Sequence, residues 1–348
     1  MFGKFMNNYY YGKSGKGDYR KEDLPRNRMQ LFWEMLRVRM SGLFRLNLMT
    51  IIAWIPLMVI VAQYISNVYG LLGLIAEVDA DRAAATAEQL EMYAQSADLF
   101  YSFTFMSLLY AIPAIAIIGP FQAGMAYVTR NWARDEHAFA WSDFKDALKE
   151  NWKQGLGVST ITGILPLLML VSYRFYGTMA ADSVLFIIPQ MLALTVGGLW
   201  MLALAFLYPM MVSYKVNFRT LLKNSLLLAV GRLPQVLGVR LVMLLPTIIV
   251  VLLLLFTPYG LYGMMALAGY YLLIGNGLAR FVYASFANAV FDKFINPHIE
   301  GAVVNRGIAD PDSLDDDDDE EEPDMEPSYP GATLEPLDAP AEKADGRA

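Results

Sequence analysis

Six long apolar segments, at 43–65, 99–125, 155–176, 184–212, 235–258 and 261–288, alternate with short charged connections. Each is about long enough to cross a bilayer, which takes about 20 apolar residues. Backbone groups in lipid have to be bonded within the segment, so the segments are expected to be helices. None alternates strictly, which argues against a membrane barrel. The expected fold is an all-α polytopic transmembrane helix bundle of about six spans.

Composition agrees with that expectation. Apolar residues make up 56% of the chain and charged residues 18%. Soluble domains average about 45–50% and about 25%. The net charge of −7 hides a segregation: residues from Asp310 onward carry net −14, and residues 1–309 carry net +7. The chain has no cysteine, which removes disulfides, thiolate metal sites and cysteine nucleophiles. The first 42 residues are basic and polar without an apolar run, so no cleavable signal peptide is expected.

Lys and Arg mark the cytoplasmic side of short loops. Nine precede the first segment, one lies in 66–98, five in 126–154, none in 177–183, four in 213–234 and none at 259–260. Lys293 and Arg306 follow the last segment. The rich and poor connections alternate, which predicts a multi-pass protein of the cell membrane with both termini cytoplasmic.

The chain divides into four parts. Residues 1–27 form a basic arm expected to be disordered. Residues 28–42 place Met29, Phe32, Trp33, Leu36 and Met40 at helical spacing between arginines. They read as an amphipathic helix in the membrane interface, or as an extension of the first span. Residues 43–295 form the six-span membrane domain. Residues 296–348 form an acidic, Pro-rich tail expected to be disordered. Proline recurs in the spans at 56, 113, 120, 166, 189, 209 and 246, as is common in membrane helices. Two stretches, Lys145 to Pro166 and Lys223 to Pro246, share a loop-to-span pattern with Gly-Val in the middle and Leu-Pro at the end.

Candidate contact residues gather on the expected cytoplasmic face. Ser142 or Asp143 can cap a helix. Phe144, Leu148 and Trp152 then form an apolar stripe on a cytoplasmic helix over 143–154, able to meet a partner or the lipid surface. Arg130 and Arg134 suit phosphates of anionic lipids or topology anchoring. Lys215, Arg219, Lys223 and Arg232 form a basic loop without an acid. Asp135, Glu136 and His137 invite an acid–base or metal reading, but a metal site needs several converging donors. No cofactor is expected, and nucleic acid is not an expected partner.

Ionisable groups inside spans are functional candidates by default. Here they include Arg240 and Arg280, with Asn276 beside the latter. Arg174 stands at the outer end of its segment, with Asp182 as its expected partner. Asn47, Gln63, Thr160 and Thr162 are expected to bond between helices.

Several stretches resemble the YesL family of bacterial integral membrane proteins. They are Met1-Phe-Gly-Lys, Leu24-Pro25, Leu31-Phe32 and Leu46-Asn-Leu48 before Pro56. The more specific ones are Gly119-Pro120, Ala123-Gly-Met125, Val128, Arg130, Asp143-Phe144 and Lys149 to Gln154. The resemblance covers roughly 1–290; the long acidic 66–98 loop and the acidic tail depart from it. It implies a multi-span protein of unassigned biochemistry linked to carbohydrate uptake and its sensor kinases, and it brings no catalytic residues. The expected role is a non-enzymatic accessory or scaffold protein. Its partners would be the bilayer and another membrane protein, a sensor kinase or a transporter subunit. The alternative is a permease-like transporter subunit, because the two loop stretches resemble the short docking helices of permeases. An enzyme is a third reading.

Overall fold

The computed structural model describes residues 25–309, and the expectations placed on 1–24 and 310–348 lie outside the described residues. Among the described residues nine α-helices follow one another: α1 (Arg28–Ala80), α2 (Ala87–Ala94), α3 (Ser96–Trp132), α4 (Ser142–Ala180), α5 (Ile187–Ser213), α6 (Phe218–Gly231), α7 (Leu233–Phe256), α8 (Gly260–Tyr270) and α9 (Asn276–Phe294). A π-helical turn over Tyr271–Gly275 joins α8 to α9, and there is no strand among the described residues. Six helical stretches among the described residues are long and apolar enough to cross a membrane: α1, α3, α4, α5 with the short 3₁₀ turn before it, α7, and α8 through α9. The protein is thus an all-α multi-pass bundle.

Local signals start these helices. Asn27 caps α1, its side chain accepting from the amides of Met29 and Gln30 at 3.1 and 2.9 Å. Thr86 and Gln89 form a reciprocal capping box on α2. Asn217 caps α6 by accepting from Thr220 N at 2.8 Å. α3 stops where Asp135 takes a left-handed φ of 55°. The cap expected from Ser142 or Asp143 is not formed. Asp143 instead turns back and accepts the amide of Phe139 at 2.9 Å, bracing the loop before α4.

Two expected boundaries move. The helix over 28–42 has no end of its own; α1 runs on to Ala80. Its inward face is Leu31, Met35, Leu36 and Leu43, packed with Val128, Trp132 and Phe281, while Met29, Trp33 and Met40 stay exposed. Apolar residues surround this stretch, so spacing alone selected a neighbouring face. The helix over 143–154 likewise continues into its span as α4. In the second Leu-Pro stretch, by contrast, α6 and α7 part at Arg232, and Pro234 opens the new helix.

Packing is concentrated at one end. In α1 the buried positions crowd between Leu31 and Ala53, with only Leu71 and Val78 beyond. α3 buries nothing before Ala111, and α4 nothing after Gly163. α7 buries only Val236 and Val250. The packed end carries the basic connections and will be called the basic end. There Gly119 of α3 and Gly155 of α4 touch backbone to backbone, and Gly124 makes room for the Phe144 ring. At the opposite end the helices expose rows of Leu, Ile and Val, as lipid-facing surfaces do.

Residues 296–308, expected to begin the disordered tail, close the basic end. Asp292 pairs with Arg28 and accepts from the Asn296 side chain and the Asn305 amide. Arg306 reaches Glu136 at 3.1 Å, and Arg134 donates to the carbonyl of Val303 at 3.4 Å.

Candidate functional site

The three ionisable or amide residues singled out inside spans come together. Arg240 of α7, Asn276 and Arg280 of α9 line one cavity of about 180 Å³, with Trp54 of α1 and Gln122 of α3. Tyr270, Tyr271 and Tyr283 complete its polar wall.

Each arginine is held by neutral groups. Arg280 Nε donates to Gln122 Oε1, and its guanidinium lies 4.3 Å from the centre of the Tyr208 ring. Tyr208 is itself tied to Ser159 by a 2.7 Å hydrogen bond. Arg240 Nη1 donates to the Tyr283 hydroxyl at 2.8 Å, and Nη2 donates to the carbonyl of Met201. Among the described residues no carboxylate pairs with either arginine, and none lines the cavity. The Trp54 indole N–H is buried and has no hydrogen-bond partner among the described residues. A charge withdrawn from water costs several kcal/mol unless it is compensated. Tyrosine faces and one amide oxygen supply part of that compensation, and the remaining field is positive.

Asn47 shapes this cavity from behind. Fully buried, it donates to the carbonyls of Tyr271 and Leu272 at 3.0 and 2.7 Å and accepts from Gly277 N at 2.9 Å. A π turn leaves backbone carbonyls without their usual partners, and such turns are frequent at functional sites. The turn sets Tyr271, Gly275 and Asn276 in the cavity wall. Of the other polar positions, Thr162 receives the Trp200 indole at 3.0 Å, bonding between helices. Gln63 and Thr160 bond within their own helices, to Asn67 and the Leu156 carbonyl.

A second polar pocket, of about 250 Å³, lies at the basic end between Arg130, Arg134, Tyr214, Asn288 and Arg306. Arg134 and Arg306 share Glu136, at 3.3 and 3.1 Å. Arg130 bonds Asn131 at 3.0 Å. The Tyr214 hydroxyl donates to Asn296 Oδ1 at 2.6 Å. Burial first, and then the Asp292 charge, push its pKa up to about 12. The Asp135 carboxyl is also raised, by burial, against the opposing effect of Arg39.

The surface residues separate. Phe144 is 3% exposed, wedged against Gly124, and Leu148 packs on the same core. Phe144 is not available to a partner and Leu148 is half-buried, because the stripe expected to face outward is the face α4 turns to α3. Trp152 is 47% exposed and keeps that possibility. Lys215, Arg219 and Lys223 are exposed, while Arg232 is half-buried over the Phe294 ring at 4.2 Å. His137 stacks edge-on against Phe139, and its neighbour Glu136 is occupied by the two arginines. Arg174 pairs with Asp98 at 2.6 Å rather than with Asp182, because α3 stands beside α4.

Spacing gave no sign of the Arg240–Arg280 pairing or of Trp54. The signal that was legible is the rarity of charge within the apolar segments.

A family described as "Protein of unknown function, DUF624" matches residues 99–173, which span most of α3 and α4. No curated protein and no solved structure matches the chain. The family's description carries no activity. The class defined here is a multi-pass α-helical membrane protein, with likeness to that uncharacterised family over its central hairpin.

Proposed function

We propose that this chain is a non-enzymatic accessory or scaffold protein of a bacterial cell membrane, with both termini in the cytoplasm. It works beside a carbohydrate uptake or sensing system. The observation that carries the reading is the braced basic end. Residues from α1, α9, the loop after α3 and the 296–308 segment are cross-linked there by Arg28–Asp292, Arg134–Glu136 and Arg306–Glu136. Of the acid–base candidates at that end, Glu136 is taken up in these links. Around the rigid platform, Trp33, Phe139, Trp141 and Trp152 stand exposed, as do Lys215, Arg219 and Lys223. Aromatic and basic groups on a rigid surface suit a protein or membrane contact. The carbohydrate context rests on the resemblance to the YesL family, whose most specific residues, Gly119 to Gln154, lie inside the matched stretch.

The polar groups of the membrane body end in a cavity of about 180 Å³. A small polar cavity suits a bound ligand better than a conduction path, so the permease reading takes second place.

Affinity purification of the intact chain in mild detergent tests the proposal, compared with a chain ending after Ala309. A membrane protein, sensor kinase or transport ATPase should co-purify with both. Repeated recovery of the protein alone overturns the reading, and loss of the partner only on truncation moves the contact to the tail.

A further inference from the structure

The arginine cavity adjoins something larger. A second, apolar groove of about 590 Å³ runs between α1 and α8, lined by Met58, Val61 and Ile65 on one side and Met264 and Leu267 on the other. Trp54, Tyr271 and Asn276 belong to both cavities. One end of the combined space is therefore cationic, and the other is hydrocarbon.

Its length along α1 is close to the depth of one membrane leaflet. From Trp54 to Ile65 the α1 wall is about 16 Å long, at about 1.5 Å per residue. Half of a hydrocarbon core of about 30 Å is about 15 Å. The depth agrees as well. The Thr257–Tyr259 turn joins the last two spans, which fixes one membrane boundary near Phe256 and Gly260. Arg240 lies about 24 Å along α7 from that turn, and Arg280 roughly 30 Å along α8 and α9. Both guanidiniums thus stand near the far boundary of the hydrocarbon, where the phosphates of the other leaflet begin. The groove runs from them past the bilayer centre, to Met264 about 6 Å along α8 from the turn.

We propose that these two cavities form one site for an anionic phospholipid. Its phosphate lies between Arg240 and Arg280, and one acyl chain lies in the groove between α1 and α8. Charge complementarity selects this occupant. The cavity offers two guanidiniums without a carboxylate, and guanidinium is suited to phosphate. The unpartnered Trp54 N–H and the nearby tyrosine hydroxyls supply further donors for phosphate oxygens. A soluble phosphate would satisfy the same donors but leave the groove empty. A zwitterionic lipid would fill the groove, but its ammonium group cancels the phosphate charge and leaves the two guanidiniums without net compensation. The site is independent of the scaffold reading, and no partner protein is needed to observe it.

The test measures thermal unfolding of the intact chain in detergent, titrated with phosphatidylglycerol, phosphatidylcholine or inorganic phosphate. Binding to the folded state raises the midpoint with concentration. Phosphatidylglycerol should raise it saturably by several degrees, and the other two should not. Arg240→Gln should weaken the apparent affinity at least tenfold. Ala62→Trp, which fills the groove at an exposed position without touching the arginines, should do the same while leaving the lipid-free midpoint unchanged. If Arg240→Gln does not fold, Ala62→Trp and Trp54→Phe carry the test. Equal shifts from both lipids overturn the headgroup assignment. A full shift from inorganic phosphate, or an unaltered response in Ala62→Trp, overturns the groove.

Discussion

Gly119 and Gly155 lie so close that a Cβ on Gly155 would stand 2.9 Å from the Gly119 carbonyl oxygen. No side chain fits between α3 and α4 at this level. Small residues at such crossings let membrane helices approach and gain dispersion contact. Gly155→Ala is expected to force the helices apart. Overpacking of this kind costs about 1–3 kcal/mol. The expected outcome is a lowered unfolding midpoint in detergent, whereas Gly198→Ala, which meets open space, leaves it unchanged.

Asn47 is the only side chain that reaches the two carbonyls Tyr271 and Leu272 in the described hydrogen-bond network. Asn47→Ala removes both donations and the bond to Gly277. At about 0.6–2 kcal/mol for an interhelical bond in a membrane, the loss is substantial. Hydrogen exchange at residues 271–277 should speed up by more than it does in α5.

The link between Arg28 and Asp292 fastens the chain after α9 to the start of α1. Asp292→Asn weakens that link and the hold on the Asn305 amide. Limited trypsin digestion is expected to cut after Arg306 and Lys293 sooner than in the parent protein, while cleavage in the 81–95 connection is unchanged.

Tyr214 gives a pH signature. Its pKa, pushed up to about 12, lies above the ordinary value of 10.0. The folded state therefore keeps a proton that the unfolded chain releases, and the associated stability is fully present below pH 10 and is lost as pH rises toward 12. Thermal midpoints should fall over that window, and Tyr214→Phe should flatten part of the fall.

The natural absence of cysteine makes topology accessible. An impermeant maleimide is expected to label Ala84→Cys on intact cells and to reach Ser142→Cys only after lysis. The reverse pattern would invert the bundle.

The spans were legible because hydropathy is a local property: each of the six expected segments falls on a helical stretch at the same place, the fifth overrunning its helix by Thr257 and Pro258. Their joins were not. Arginines at 28–42 and the amphipathic stripe at 143–154 look like separate surface helices, yet α1 and α4 absorb them because no strong breaker interrupts either. The site was half legible. Arg240, Asn276 and Arg280 stood out because charge and amide groups are rare in apolar segments. That they face one another depends on which helices adjoin, and hydropathy does not encode this. Trp54 was invisible, since a tryptophan in a span carries no mark of an unpartnered N–H. The π turn was invisible too, because Tyr271–Gly275 is as apolar as the helix on either side.

The one-sided burial of this bundle has a mechanical meaning. Helices clamped near Gly119 and Gly155 and free beyond are cantilevers. A tilt of about 5° at the clamp displaces a tip roughly 30 Å away by about 2–3 Å. Whatever wedges between α1 and α8 near Trp54 therefore acts close to the fulcrum, and its effect is read out, magnified, at the far face of the membrane.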